Sequence, residues 1–596
     1  MENHRRNSSD FLGIEDDVVI RIRNLSVWTP EEKSWWRRKV TKPKTLILRN
    51  VTGCIRDGDF VAVIGPSGSG KTSLLVNLAG KCTLPSSGDV TFRHANVKSL
   101  QNGVVEMMPQ FEVFMEHLTV MEHLVFMIEM KLGSCKKLPN RLQLNSLMTE
   151  LKLTSHAHTP VRGLSGGARR LLSLATTLLS NPKILICDEP TTGLDSYNAR
   201  LVVAVLKKLS LSGTTVLCSV HQPSSDLFSE FASVMIMAEG ALIIYGTQKE
   251  CSAIFESVNL RCPKNYNPAD FYLRSVSSAN NNNIQNIIGK SKRNLNDIFK
   301  IGEDRLTQFG DFKVLQRCWL KQVQLLLWRQ SLSVKRDLRD HFIQLIICIL
   351  ISSLVIATCY IGIDGSSQQG IQNMRGFLWL LCSEVSFNLS YNALYAFEGG
   401  LTLFRREAGL YKASAYFVAT FVSMVPRCII WPAVYVLIAA AAVTLPNSLI
   451  TALEFTAALI VTSLAAVAYG LGMGALFTSS GVMGDIMPCA DLPLLLMSGA
   501  FLRIASLPAL LLPLQYLSHF YYGMDAVSNV YWRQIVDIDC PSNSTTMCIR
   551  DGLTVLLENG YNTDNFILQD GVGLLAVTIL WNLLGYYGLK REEKKG

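Results

Sequence analysis

Charge is scarce in this sequence, and scarcest in its second half. Only 17% of the 596 residues are Asp, Glu, Lys or Arg, while 49% are hydrophobic. That balance excludes a solvated, disordered chain and points to membrane spans. Residues 1–340 hold most of the charge and residues 341–590 very little, which predicts at least two domains. The opening stretch MENHRRNSSD has no apolar signal segment, so internal spans are expected to set the topology, with the N-terminal half in the cytosol. The net charge is +9, yet no stripe of Lys and Arg interleaved with aromatics accompanies it. A nucleic-acid partner is therefore not expected, and cytosolic basic loops account for the excess. The 15 cysteines do not make a small disulfide scaffold; Cys187, Cys348 and Cys382 sit in apolar runs and read as buried thiols.

What is present begins as an α/β pattern. Residues 18–28, 45–52, 59–65, 183–188, 214–220 and 233–237 are apolar or β-branched runs that read as strands, and 71–80 reads as a helix ending at Gly80. Gly65-Pro66-Ser67-Gly68-Ser69-Gly70-Lys71-Thr72 fits G-x-x-x-x-G-K-[ST] between an apolar strand and a helix, the context a phosphate-binding loop requires. The glycines let backbone N–H groups wrap phosphates, and the helix N-terminus adds positive potential. Lys71 is placed to reach the β- and γ-phosphates and Thr72 to hold Mg²⁺. Gly65, Ser67, Gly68, Gly70, Lys71, Thr72 and Ser73 are thus the candidates for binding ATP. The run KILICDE (183–189) is an apolar strand ending in two acids. Asp188 is placed to hold Mg²⁺ through water, and Glu189 to polarise the water that attacks the γ-phosphate.

Leu164-Ser165-Gly166-Gly167 lies between these two motifs. With it the sequence resembles the ATP-binding cassette family, and the other family marks occur in order: Gln110 in MPQFE, Asp195 in TTGLDS and His221 in SVHQPSSD. The resemblance implies that Gln110 contacts nucleotide and Mg²⁺, that Asp195 belongs to the D-loop, and that His221 is the switch histidine beside catalytic Glu189. It also implies a dimer in which Ser165, Gly166 and Gly167 serve the partner's ATP. Ala168 departs from the family's usual Gln or Glu, which implies two unequal ATP sites. Trp28 either stacks on adenine or packs the sheet.

Residues 1–276 are expected to form the cytosolic cassette, 277–311 a flexible Asn- and Ser-rich linker, and 312–341 an amphipathic connecting helix on the membrane face. Residues 342–596 then form a six-span domain. Its spans are Phe342–Ile363, Phe377–Phe397, Phe417–Leu445, Ile450–Phe477, Ile486–Leu502 and Val572–Leu589, with 505–527 a re-entrant or interfacial piece. The predicted fold class is an α/β P-loop cassette followed by an all-α six-helix transmembrane domain. Arg405, Arg406 and Lys412 in one loop and Lys590, Arg591, Lys594 and Lys595 in the tail mark the cytosolic side. Both termini are then cytosolic and the loop at about 503–570 extracytosolic. In that loop Asn543-Ser544-Thr545 is a glycosylation acceptor, flanked by Cys540 and Cys548, which pair in an oxidising compartment. The alternative is a chance sequon with two free thiols.

The order of cassette before membrane domain resembles the G subfamily. NPADFYL (267–273), RREAGLYKASAYF (405–417), PQFEV, DIDCP and CSEV resemble its white, scarlet and brown eye-pigment precursor group, nearest the brown type. That implies a half-transporter working as a heterodimer with a white-type partner. It further implies export of small planar molecules such as guanine, pteridine or tryptophan-derived precursors, across a pigment-granule or plasma membrane. Sterol, lipid or xenobiotic efflux is the alternative cargo, and a non-transporting ATPase that regulates a partner is the rival activity. Glu384 lies mid-span, where a carboxylate costs several kcal/mol unless it lines a cavity or is paired. By resemblance Glu384 and Phe387 are substrate contacts and Leu492, Leu495 and Phe501 cavity or gate positions. Glu384 paired with Arg427 or a backbone group is the structural alternative.

Overall fold

Four apolar runs make the centre of the N-terminal unit. β5 (Phe60–Ile64), β9 (Ile184–Cys187), β10 (Thr215–Ser219) and β11 (Ser233–Ala238) are buried at every position, as strands covered on both faces must be. With β8 (Val105–Met108) and β12 (Ala241–Thr247) they form a six-stranded sheet in the order β12-β11-β5-β10-β9-β8, parallel except for the β11–β12 pair. Alternate residues feed two cores: Ala62, Ile64, Cys187 and Ile236 on one side, Val61, Val63, Ile186 and Met235 on the other. A second sheet, β4-β1-β6-β7, joins β1 (Val18–Trp28), β4 (Leu46–Arg56), β6 (Ser86–Phe92) and β7 (Ala95–Asn96) antiparallel, and β2 (Glu32–Lys33) pairs with β3 (Val40–Lys42). The helices are α1 (Lys71–Leu78), α2 (Val120–Lys131), α3 (Arg141–Glu150), α4 (Gly166–Leu178), α5 (Ser196–Leu211), α6 (Ser225–Ser229), α7 (Gln248–Glu256) and α8 (Pro268–Ser278).

The structure is a computed structural model that describes residues 18–33, 40–92, 95–96, 103–131, 141–278, 317–441, 443–477, 480–504, 508, 510–540 and 548–593. It comprises two units, Met1–Arg317 and Cys318–Gly596. Most of the linker expected at 277–311, the first residues of the connecting helix and Asn543 lie outside the described residues.

The C-terminal unit is helical: α9 (Trp319–Cys359), α10 (Gln368–Arg406), α11 (Ala413–Ala440), α12 (Ser448–Leu476), α13 (Ser480–Leu496), α14 (Leu512–Gln515), α15 (His519–Trp532), α16 (Gly552–Asn559) and α17 (Phe566–Glu593). Among the described residues α11, α12 and α17 are long and apolar enough to cross a membrane; α9 contributes a shorter apolar stretch, Leu350–Cys359. Two sequence-based boundaries are corrected. The connecting helix and first span run on as one helix, Trp319–Cys359. The fifth helix ends at Leu496 and not at residue 502, because Gly499 turns the chain at φ 79°. All 14 residues of α15 are buried. At 1.5 Å per residue it is about 21 Å long, too short to span about 30 Å of hydrocarbon.

A buried knot ties α9 to the α10–α11 connection. Arg329 donates to both carboxylate oxygens of Glu407 (2.7 and 2.9 Å), and Tyr411 donates to the same carboxylate at 2.5 Å. The Trp319 indole N–H bonds Ser414 (3.0 Å), and the Lys412 N–H bonds Gln322 (3.0 Å). Arg329 is 1% exposed, so removing either charge strands the other, at a cost of about 3–5 kcal/mol.

Candidate active site and membrane-domain polar residues

The phosphate-binding loop joins β5 to α1. Gly68 and Gly70 have φ of 77° and 94°, conformations that side chains resist. A Cβ on Gly65 would run into the Met237 carbonyl and the Ser69 hydroxyl, whereas the space above Gly68 is open. α1 starts without a side-chain cap and has no acidic residue in its first turn, so its orphan N–H groups and positive end face the loop. Ser69 Oγ is buried without a partner. Lys71 is buried, and its ammonium donates to the carbonyls of Gly65 (2.8 Å) and Pro66 (3.0 Å). Burial lowers its pKa, and the charges of Glu189 and Asp188 oppose that shift. An uncapped helix end, open space above a glycine and a lysine ammonium held at the loop by backbone carbonyls fit a polyphosphate.

Asp188 and Glu189 follow β9 directly. Asp188 accepts from Ser219 Oγ at 2.5 Å, and that hydroxyl oxygen accepts the Glu189 N–H at 2.8 Å. Glu189 holds φ at 48°, a strained backbone for a residue with a side chain. Its carboxylate accepts from Gln110 Nε2 (2.8 Å) and Thr192 Oγ1 (3.0 Å). Gln110, Asp188, Glu189 and Lys71 therefore meet at one site. The signature lies apart from them in the described contacts. Ser165 caps α4, accepting the Ala168 N–H at 3.2 Å, and Asp195 caps α5, accepting the Asn198 N–H at 2.8 Å. His221 is exposed beyond β10, and none of the described hydrogen bonds ties it to Glu189. The Lys44 ammonium sits 4.0 Å from the centre of the Trp28 ring and covers one of its faces.

In the membrane unit, Glu384 is half-buried and accepts from Ser352 of α9 at 3.5 Å; among the described residues no ion pair joins it to Arg427. Phe387 packs against Phe520 with ring centres 5.0 Å apart, so the two residues meet different neighbours. Leu495 is half-buried, while Leu492 and Phe501 are exposed. Cys540 and Cys548 form a disulfide with Cα atoms 6.1 Å apart.

The family model described as ABC transporter matches residues 48–192, and that described as ABC-2 type transporter matches residues 321–532. Protein scarlet of Drosophila melanogaster is 31% identical, across 99% of this chain and 92% of that one. Protein white of the same fly is 30% identical, across 94% and 85%. The chain belongs to the G family of ABC transporters. Protein brown of the fly is 28% identical, across 96% and 97%, and these near-equal identities do not single out the brown type.

This ABC transporter hydrolyses ATP and couples the hydrolysis to transport. Its cassette contains a residue that the sequence reading passed over. Arg170, 3% exposed, sends Nη1 to the carbonyls of Pro109 (3.1 Å) and Gln110 (2.6 Å) and to the Glu112 carboxylate (2.6 Å). Nη2 bonds the carbonyls of Asp188 (3.2 Å) and Glu189. One guanidinium thus clamps the Gln110 loop to the acidic strand end. The available signal was an arginine directly ahead of the apolar helical run LLSLATT, a place that demands partners once the helix is buried. Ser219, which orders both acids, gave no signal in sequence.

Proposed function

We propose that this chain is one half of an ATP-driven exporter of small planar molecules, closed by a second half-transporter of the white type. The observation that carries the reading is the meeting of Lys71, Asp188, Glu189 and Gln110 at a phosphate loop, in a chain with one loop and one signature. Lys71 and the N-terminus of α1 bind the β- and γ-phosphates. Thr72, Asp188 and Gln110 would hold Mg²⁺, which when bound neutralises phosphate charge. Glu189, oriented by Gln110 and Thr192, polarises the attacking water, and His221 completes that site once the two halves close. Ser165, Gly166 and Gly167 cover the partner's ATP. Ala168 is buried and offers no side-chain donor there, which makes the two sites unequal and a homodimer a poor pump.

The membrane unit crosses the bilayer six times, with the cassette and both termini cytosolic and the disulfide loop, glycosylated at Asn543, on the other side. The half-exposed face of α10 around Glu384 and Phe387 lines the path, with Leu495 facing it. Glu384 accepts N–H bonds from a purine- or pteridine-like ring and Phe387 stacks on it. Glu384→Gln replaces an acceptor with a donor and should weaken guanine-stimulated ATPase by roughly 2–4 kcal/mol in apparent affinity, with abundance unchanged because Gln is nearly isosteric. Unaltered guanine stimulation at normal abundance would remove Glu384 from the site.

A further inference from the structure

Phe387, Tyr391 and Tyr395 recur every fourth residue along α10, with successive ring centres 6.5 and 6.4 Å apart. Phe387 and Tyr391 are half-exposed and Tyr395 is 57% exposed. At the middle of this row the Tyr391 hydroxyl donates to Asp491 Oδ2 at 3.1 Å, and Tyr469 of α12 donates to Asp491 Oδ1 at 2.6 Å. Asp491 is 4% exposed. It lies one turn from Met487 and Leu494 on α13, in an apolar cluster with Phe520 and Leu394. Among the described residues no Lys or Arg is ion-paired with it. Two tyrosine hydroxyls are therefore its described polar contacts, and hydrogen bonds in such a dry setting are strong.

A phenol has one proton to give. With that proton held by Asp491, the partly exposed Tyr391 keeps an aromatic ring and oxygen lone pairs for a neighbour, and no donor. We infer that Asp491 is a positioning residue for cargo: it fixes Tyr391 as a hydrogen-bond acceptor beside an aromatic stack, and so selects planar aromatic molecules that carry an N–H donor. The inference rests on the reading that this face of α10 lines the transport path. Glu384 lies nearly two turns earlier on the helix and meets Ser352, so the Tyr391–Asp491 contact is a separate determinant with its own test.

The test uses indole and benzofuran, which share one shape and differ in an N–H donor against an oxygen acceptor. Each is titrated against the full chain in lipid nanodiscs, and the half-saturating concentration is read from thermal stabilisation, which needs no turnover. The wild-type chain should bind indole about tenfold more tightly than benzofuran, the worth of one well-made hydrogen bond in a dry site. Tyr391→Phe should bring the ratio close to one by weakening indole. Asp491→Leu, which frees the Tyr391 proton, should bring it down chiefly by tightening benzofuran. Tyr469→Phe should leave the ratio where it was, because the Tyr391–Asp491 bond survives. If Asp491→Leu does not fold, Asp491→Asn, whose amide can donate back to the phenol oxygen, takes its place and should likewise lower the ratio; a folded Asp491 variant that keeps the wild-type ratio overturns the inference. Equal wild-type affinities, a Tyr391→Phe chain that keeps the preference, or a Tyr469→Phe chain that loses it overturns the inference. Donor-selective binding in a chain that moves nothing in vesicles would sustain the inference while sinking the transport reading.

Discussion

Arg170→Ala removes five hydrogen bonds at once from the heart of the cassette. Glu112, whose side chain is 15% exposed, loses its cation, and the carbonyls of Gln110, Asp188 and Glu189 lose a donor. Stranding one partner of a buried ion pair costs about 3–5 kcal/mol, and part of the carbonyl loss is regained from water that enters the vacated space. For a unit of this size that cost corresponds to a fall on the order of 10 °C in the cassette's melting temperature. The catalytic effect should exceed the folding effect, because the same guanidinium sets the backbone beneath Gln110 and Glu189. At a temperature where the variant is folded, ATPase should still drop at least about tenfold, the result of losing only about 1.4 kcal/mol of transition-state stabilisation. Arg170→Lys keeps the charge and part of the reach and should fall between. The assays are differential scanning fluorimetry of the purified chain and steady-state phosphate release. A melting temperature within about 2 °C of wild type together with unchanged ATPase would refute the clamp.

Three further outcomes follow from the same contacts. Glu189→Gln should retain ATP binding and abolish steady-state hydrolysis at the site containing Lys71; near-wild-type phosphate release would contradict its role. Burial holds Lys71 below its ordinary pKa of 10.5, so its ammonium is lost earlier as pH rises. ATP affinity should accordingly weaken with rising pH, and Lys71→Arg should bind more weakly but with a flatter profile; equal slopes in an equilibrium titration would count against this. Endoglycosidase should lower the mass of the mature chain, Asn543→Gln should remove that shift, and Cys540 and Cys548 should resist alkylation until reduced. Labelling of this loop by an impermeant reagent from the cytosolic side alone would overturn the topology.

The cassette was legible because its chemistry is local. Eight consecutive residues make the phosphate loop, and a largely apolar run announces each buried strand. Arg170 was hidden for the opposite reason: its partners lie on two segments, 109–112 and 188–189, that only the fold brings together. In the membrane unit the apolar stretches marked where hydrocarbon begins and not where helices end. α9 starts 23 residues before the expected first span at Phe342, and α10 extends past both ends of the expected second span, from the Ser367 cap to the basic pair Arg405 and Arg406. Glu384 stood out as a mid-span acid, but Asp491 did not, since its significance lies in the tyrosines that α10 and α12 bring to it.

The central claim is that ATP turnover at the Lys71–Glu189 site drives cargo through a pair of half-transporters. The most direct measurement is uptake of radiolabelled guanine into inverted vesicles containing the chain alone, the chain with a white-type half, and the same pair carrying Glu189→Gln. ATP-dependent accumulation is expected for the wild-type pair, little for the chain alone, and a large loss with Glu189→Gln. Equal accumulation in all three, or none in the pair despite measurable ATPase, would contradict it.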